Sequence, residues 1–223
     1  MYIKRYMTVN PCAAGPTTTI AGASELLSEN NCRHLPIVDE ETRLLGMVTD
    51  RDLRSACPSI LTAPQALTPE QLEVAGQPVS RIMSRDIVTL NPLSTLDDAL
   101  LLLDRKKVGA LPVLTDDGRL AGIFSTRDLL QAYRRLFGLG ERGSALISVR
   151  DDGRPRPLSR LVRVLEEHDI HFSRISRRGG EQGGSGAESG GGAVIYVRVN
   201  TFNLHAVRQA LEQAGFIMLD QGD

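Results

Sequence analysis

Residues 7–53 lie over residues 83–129 at a constant offset of 76, without a gap, across 47 positions of which fourteen are identical. This internal repeat constrains the fold more than any other feature, because whatever unit one copy forms the other must form as well. Many of the non-identical pairs keep physical type: Ile20 over Leu96, Ile37 over Val113, Thr49 over Ser125. Each copy opens with a short extended piece ending at Pro16 or Pro92. Thr18 or Ser94 is then placed to cap a helix carrying the Leu26-Leu27 or Leu102-Leu103 pair on its apolar face. HLPIV (34–38) and ALPVL (110–114) read as strands, with proline near the start where it is tolerated. Acidic turns separate them from LLGMVT (44–49) and LAGIFS (120–125), and a last helix begins at Asp50 or Thr126. The unit is β-α-β-β-α. At roughly 50 residues it is too small to bury a core alone, so the two copies are expected to pack together through their sheets.

The rest of the chain follows from breaks in this pattern. Residues 54–82 hold Pro58, Pro64, Pro69 and Pro78. Thr68-Pro69-Glu70-Gln71 reads as a helix start with a capping box, so the crossover is ordered rather than a loose tether. FGLGERG (137–143) is a turn-rich junction. Beyond it ALISV (145–149), FSRISR (172–177), VIYVRV (194–199) and FIML (216–219) alternate or read as strands. Leu158, Leu161, Val162 and Leu165 fall at helical spacing, as do Leu204, Val207 and Leu211, with Gly215 as a stop. Residues 179–192 hold eight of the 21 glycines and are expected to form a solvated loop. The fold class is therefore α+β: two β-α-β-β-α repeats followed by a ferredoxin-like β-α-β-β-α-β domain. The expected boundaries are 1–56, a crossover at 57–79, 80–136, and 143–223.

Composition excludes several classes of function. The net charge is −1, with 24% charged residues, so nothing draws the whole chain to nucleic acid or anionic membrane. Aromatics are 4% and tryptophan is absent, which argues against a base-stacking platform. No stretch has the run of about 18 apolar residues a membrane span needs, and the first fifteen residues lack the apolar core of a secretory signal. A cytoplasmic protein is expected. Cys12, Cys32 and Cys57 have no CxxC spacing; Cys12 falls on Val88 and Cys32 on Val108, so they read as small hydrophobes rather than disulfide or zinc ligands.

The sharpest motif is Gly-x-x-Thr/Ser-x-Arg-Asp, present as Gly46 to Asp52 and as Gly122 to Asp128. It stands where a strand hands over to a helix. One reading is structural: the hydroxyl of Thr49 or Ser125 caps the helix, Asp52 or Asp128 closes a capping box, and the glycine permits close packing. The other is functional: free helix N–H groups and a hydroxyl suit a phosphate, and a carboxylate one turn in suits a ribose diol. The two can coexist.

The tandem RHLPIVDEETRLLGMVTDRDL and GALPVLTDDGRLAGIFSTRDL resemble a pair of CBS domains, a Bateman module, over residues 7 to about 133. The C-terminal part resembles an ACT domain, and the order of domains is similar to the acetoin-utilisation AcuB family. The resemblance implies a non-catalytic, homodimeric regulator of an unidentified partner protein, binding AMP, ADP or ATP in the cleft of the pair, in acetoin or central carbon metabolism. It implies nucleotide contacts for Thr49, Arg51 and Asp52, for Ser125, Arg127 and Asp128, and for Arg33 and His34 ahead of the first Leu-Pro strand. Repeat two has Gly109-Ala110 at those last positions, so the first site is expected to hold charged nucleotide more tightly. The ACT-like part departs from its family: Arg156 stands where the ligand-binding turn carries glycine, so packing or dimerisation is expected there rather than an amino-acid effector.

Weaker candidates complete the reading. His168 and His171, with Glu167 nearby, read as a solvated helix end rather than a metal site, and no metal is expected. His205 has no visible partner. Residues 134–178 carry 11 basic and 6 acidic side chains. That stretch allows an alternative, a nucleic-acid-binding regulator acting through 150–178, yet no recognition helix or basic-aromatic pattern accompanies it and nucleic acid is not the expected partner. A second alternative is an enzyme with an unrecognised site. No catalytic triad, phosphate loop or paired carboxylates can be assembled. The helix face Leu129-Leu130-Tyr133 is expected to need covering by a second copy.

Overall fold

A computed structural model describes residues 1–57, 67–179 and 193–219, which fall into two units, Met1–Ala132 and Tyr133–Asp223. The Gly-rich segment 179–192 lies, apart from Gly179, outside the described residues.

The first repeat supplies β1 (Thr8–Val9), α1 (Ile20–Glu29), β2 (His34–Val38), β3 (Leu44–Thr49) and α2 (Asp50–Ala56). A crossover helix, α3 (Pro69–Ala75), starts with the expected Thr68–Gln71 capping box. The second repeat supplies α4 (Leu96–Lys106), β4 (Ala110–Leu114), β5 (Leu120–Ser125) and α5 (Thr126–Phe137). The strand bounds of β2 to β5 are those read from sequence. The helix caps are not: Thr19 and Thr95, rather than Thr18 and Ser94, accept the capping bonds, from Gly22 N and Asp98 N. A hydroxyl one place later lets Ile20 and Leu96 be the first helical residues, and both are buried.

The repeat is not self-contained. β1, at the front of the first copy, pairs with β5 of the second, Thr8 opposite Ile123. Its counterpart Ser84 pairs with Met47 of the first copy through two backbone bonds of 3.0 and 2.9 Å. The exchange continues upstream at the same offset. Ile3 N donates to Ser94 O, and Val79 N donates to Thr18 O. Leu96 N donates to Met1 O, and Ile20 N to Gln77 O. Ile3 and Val79 are both fully buried. Each copy therefore completes its core with the other's leading segment, a reciprocal exchange that the repeat pattern alone does not announce. Periodicity names a strand but not its partner.

The exchange explains the glycines of the motif. A Cβ on Gly122 would lie 2.7 Å from the Thr8 carbonyl oxygen, and one on Gly46 would lie 2.5 Å from Met83 Sδ and 3.0 Å from Ser84 O. Only a residue without a side chain lets the foreign segment run this close. The core beneath is apolar, with Leu35, Ile37, Val48 and Leu53 buried in one copy and Leu111, Val113, Phe124 and Leu129 in the other. Cys12 and Cys32 pack at the margin of the first core and Cys57 within it, all as free thiols. Leu129 turns inward, and of the helix face expected to need covering Leu130 is the exposed member, at 69%. Tyr133 is half-buried and stacks on Phe137.

The second unit has β6 (Ser144–Arg150), α6 (Pro157–Glu167), β7 (Phe172–Arg178), β8 (Val194–Asn200), α7 (Leu204–Gln213) and β9 (Ile217–Leu219). Its sheet runs β7-β8-β6-β9 with every pair antiparallel. That is the β-α-β-β-α-β arrangement read from sequence. Ile147, Val149, Ile195, Val197 and Val199 face α6 and α7 in a dry core. Arg156, at the glycine position of the turn, adopts the left-handed conformation (φ 55°, ψ 51°) that glycine takes without strain. No helix among the described residues is long and apolar enough to cross a membrane.

Candidate functional site

β3 runs into α2, and β5 into α5, without an intervening loop, so the last strand residue becomes the helix cap. At the first junction Asp52 Oδ2 accepts from Thr49 N at 2.8 Å and from Thr49 Oγ1 at 2.7 Å, while Asp52 N donates back to Thr49 Oγ1 at 3.3 Å. At the second the corresponding distances between Ser125 and Asp128 are 2.8, 2.6 and 3.3 Å. Both motifs are thus capping boxes, and each uses one carboxylate oxygen, leaving the other without a hydrogen bond among the described residues. The same geometry recurs at Thr95–Asp98, so a capping box by itself does not mark a ligand site.

The two motif junctions differ from α4 in their surroundings. His34 is opposite Thr49 in the β2–β3 register, and Ala110 is opposite Ser125 in β4–β5. Asp50 N donates to Arg33 O at 3.1 Å, and Thr126 N to Gly109 O at 3.0 Å. The residues ahead of each Leu-Pro strand therefore stand beside the first turn of the motif helix. The starts of β2 and β4 also meet: a Cβ on Gly109 would lie 3.0 Å from both Cε1 and Nε2 of His34. The structure thereby brings Arg33, His34, Thr49 and Asp52 together, and sets Gly109 against them from the second copy.

Charge is distributed unevenly between the junctions. Arg33, Arg51 and Arg127 are exposed, and Asp52 and Asp128 are half-buried. Burial pushes the His34 pKa below its ordinary value; Asp50 and Asp52 pull it upward, and Arg33 pushes it further down. Sequence reasoning missed Asp50, whose counterpart is Thr126. Its carboxylate acts on His34 in the opposite sense to Arg33, and it is paired with Arg54 at 2.6 Å. It also missed the exchanged segments. Ser84 lies along β3 two residues ahead of Thr49, and Thr8 along β5 two residues ahead of Ser125. The repeat at offset 76, extended upstream to Ile3 and Val79, was the available signal.

Two depressions lie elsewhere. One of about 610 Å³ in the second copy is lined by Asn91, Ser94, Asp98, Arg105 and Thr115 among others, and contains none of the motif residues. Ser94, Asp98, Asn91 and Thr115 already bond within their own turns. The other, about 350 Å³, opens at the start of α6 beside Asp151, Arg154, Arg156 and Arg177. Asp151 is buried; the Gly153 N–H and the Arg177 guanidinium, at 2.6 Å, lower its pKa. Arg160 grips Asp152 through two bonds and holds its pKa near 2. No cluster of metal-ligating side chains occurs among the described residues, His168 and His171 included.

A family profile described as the CBS domain matches residues 3–59 and 79–135, one match per repeat, together half of the chain. YhcV of Bacillus subtilis, a CBS domain-containing protein, is 33% identical over 128 residues, 57% of this chain and 81% of its own. Inosine-5'-monophosphate dehydrogenase of Aquifex aeolicus is 28% identical over 126 residues, 56% of this chain but 23% of the enzyme's length. Such enzymes match through their CBS portion and not through a catalytic core. Among solved structures, CBSX2 in complex with AMP superposes with a TM-score of 0.51 at 28% identity, covering 60% of this chain and 97% of that one. An acetoin utilization protein (AcuB) from Vibrio cholerae gives a TM-score of 0.52 at 27% identity, covering 63% and 96%.

Proposed function

The chain belongs to the CBS-domain family, and on that premise we propose that it senses adenine nucleotide (AMP, ADP or ATP) at its two strand-to-helix junctions. The observation that supports this reading is the meeting of His34 with Gly109, which sets the start of β4 beside the first junction. Thr49 with Asp52, and Ser125 with Asp128, present a hydroxyl, a helix N-terminus and a free carboxylate oxygen to phosphate and ribose. Arg51 and Arg127 stand one residue earlier than each carboxylate, and Arg33 and His34 add donors at the first site alone. The complex of CBSX2 with AMP, a structure of similar fold, supports the ligand class. Binding would favour one arrangement of the two repeats and shift the population toward it, so the output is regulation of a partner protein rather than chemistry.

The finer assignment follows the same reading. The C-terminal unit acts as an ACT-type domain that packs or dimerises, the protein is a cytoplasmic homodimer, and the likeness to AcuB supports a place in acetoin or central carbon metabolism.

The test is calorimetric titration of AMP, ADP and ATP into the wild type, Asp52→Ala and Asp128→Ala at matched salt. Both variants lose the same cap, about 1 kcal/mol of stability each, so the difference between them reads the ligand. Charge-assisted bonds from Arg33 predict that the first site binds about tenfold more tightly, since 1.4 kcal/mol is roughly a factor of ten. Asp52→Ala should remove the tight event and Asp128→Ala should spare it. No heat with any of the three nucleotides would end the proposal; equal losses would end the asymmetry.

A further inference from the structure

Two groups stand out among the arginines of the C-terminal unit. Arg154, Arg160 and Arg177 are taken by Asp151 and Asp152. Arg174 clamps the end of α5, with its guanidinium on the carbonyls of Leu136 and Arg135. The second group stands on the sheet face turned away from α6 and α7. Registry places Arg178, Val194, Arg150 and Ile217 in one row across the four strands, and Ser176, Tyr196, Ser148 and Leu219 in the next. A third row holds Arg174, Arg198 and Leu146. Alternation puts these residues on one face and the buried valines and isoleucines on the other.

This face has a definite chemistry. Arg150 and Arg178 are exposed, and neither makes a hydrogen bond or ion pair among the described residues. Among the described residues the Arg198 guanidinium bonds only the Ser144 hydroxyl, at 3.1 Å. No Asp or Glu stands on this face of β6 to β9 among the described residues. Tyr196, half-buried, stands on the inner strand β8 between the small side chains of Ser176 and Ser148. Leu146 and Ile217, 44% and 56% exposed, extend the apolar surface beside it. Arg150 and Arg178 are two strands apart, roughly 10 Å, and Tyr196 is two residues, about 7 Å, along from their row. An aromatic ring flanked by cations at that spacing suits a base with phosphates on either side. A duplex hides its base faces, and a flat sheet does not enter a groove. An acidic peptide would satisfy the arginines but leave Tyr196 and the leucines unused.

We propose that the open face of the β6–β9 sheet binds single-stranded nucleic acid, with a base stacked on Tyr196 and phosphates held by Arg150, Arg178 and Arg198. The overall charge of −1 and the scarcity of aromatics do not oppose this, because one ring and three guanidinium groups are concentrated on one surface.

The test uses the full chain and fluorescence anisotropy with labelled dT and U dodecamers, which lack adenine and so do not probe the cleft of the repeats. A duplex of equal length and a polyglutamate peptide are the competitors. The single strands should bind, and three phosphate contacts should weaken binding roughly fifteen-fold between 50 and 200 mM salt. Tyr196→Ala should cost about tenfold while Tyr196→Phe stays within about twofold of wild type. Arg150→Glu with Arg178→Glu should abolish binding, whereas Arg163→Glu on the exposed side of α6 should spare it. Absence of single-strand binding at 50 mM salt by folded protein would overturn the proposal. So would tighter binding of the duplex or the peptide, or Tyr196→Ala indistinguishable from wild type.

Discussion

The first repeat ends its second strand at Thr49 and the second at Ser125, and the hydrogen bonds around the two hydroxyls agree to about 0.1 Å. The strand registers match as well, yet the side chains facing each junction differ: Arg33, His34 and Asp50 on one side, Gly109, Ala110 and Thr126 on the other. Backbone bonds and caps are satisfied identically because burial demands it in both copies. Charge is free to diverge because it sits on the solvent side of the same scaffold. Similarity of fold between repeats therefore says little about similarity of ligand.

The largest test of the comparison is structural. Ile3→Ala and Val79→Ala each remove a fully buried aliphatic side chain at equivalent positions, and each should cost about 2–4 kcal/mol in urea unfolding. Hydrogen exchange should show the damage crossed over: Ile3→Ala loosens β4 and β5, and Val79→Ala loosens β2 and β3. Damage confined to the copy that carries the mutation would break the exchange.

A smaller effect separates the two glycines. Gly122→Ala meets a backbone oxygen and should lose about 2–3 kcal/mol. Gly46→Ala meets first the end of the Met83 side chain, which can rotate, and should lose about 1–2 kcal/mol. Equal losses would mean that Met83 is as fixed as the Thr8 carbonyl.

The smallest effect is one of pH. The His34 pKa lies below its ordinary 6.5 in the folded chain, chiefly through burial. The unfolded chain then binds the proton first, so stability is full above pH 6.5 and declines as pH falls from there toward the lowered value. His34→Gln should flatten that decline in thermal midpoint between pH 7.5 and 5. The second copy, with Ala110 in place, contributes none of it. An unchanged slope would show that His34 protonates as readily folded as unfolded.

How legible this was in the sequence depended on the range of the signal. Strands β2 to β5 could be read to the residue because turn residues bracket short apolar runs and the second copy checks the first. The caps of α1 and α4 lie one place beyond the sequence reading because hydroxyls stand side by side, Thr17 to Thr19 and Ser94 with Thr95, and both Ser94 and Thr95 have an aspartate three residues on. Asp52 and Asp128 were legible as caps, since a capping box is local. The contact of His34 with Gly109 was not, nor was the row that joins Arg150 to Arg178, because both depend on which strands become neighbours.

The exchange of leading segments also sets a timetable. During synthesis Ile3 and Thr8 emerge first, but their partners Ser94 and Ile123 are made more than ninety residues later. The front of the chain must wait unpaired until the second copy is nearly complete, while Val79 and Ser84 meet the finished first copy at once. The first repeat can therefore close while the ribosome is still at work, and the second closes only by reaching back to residues 1–9.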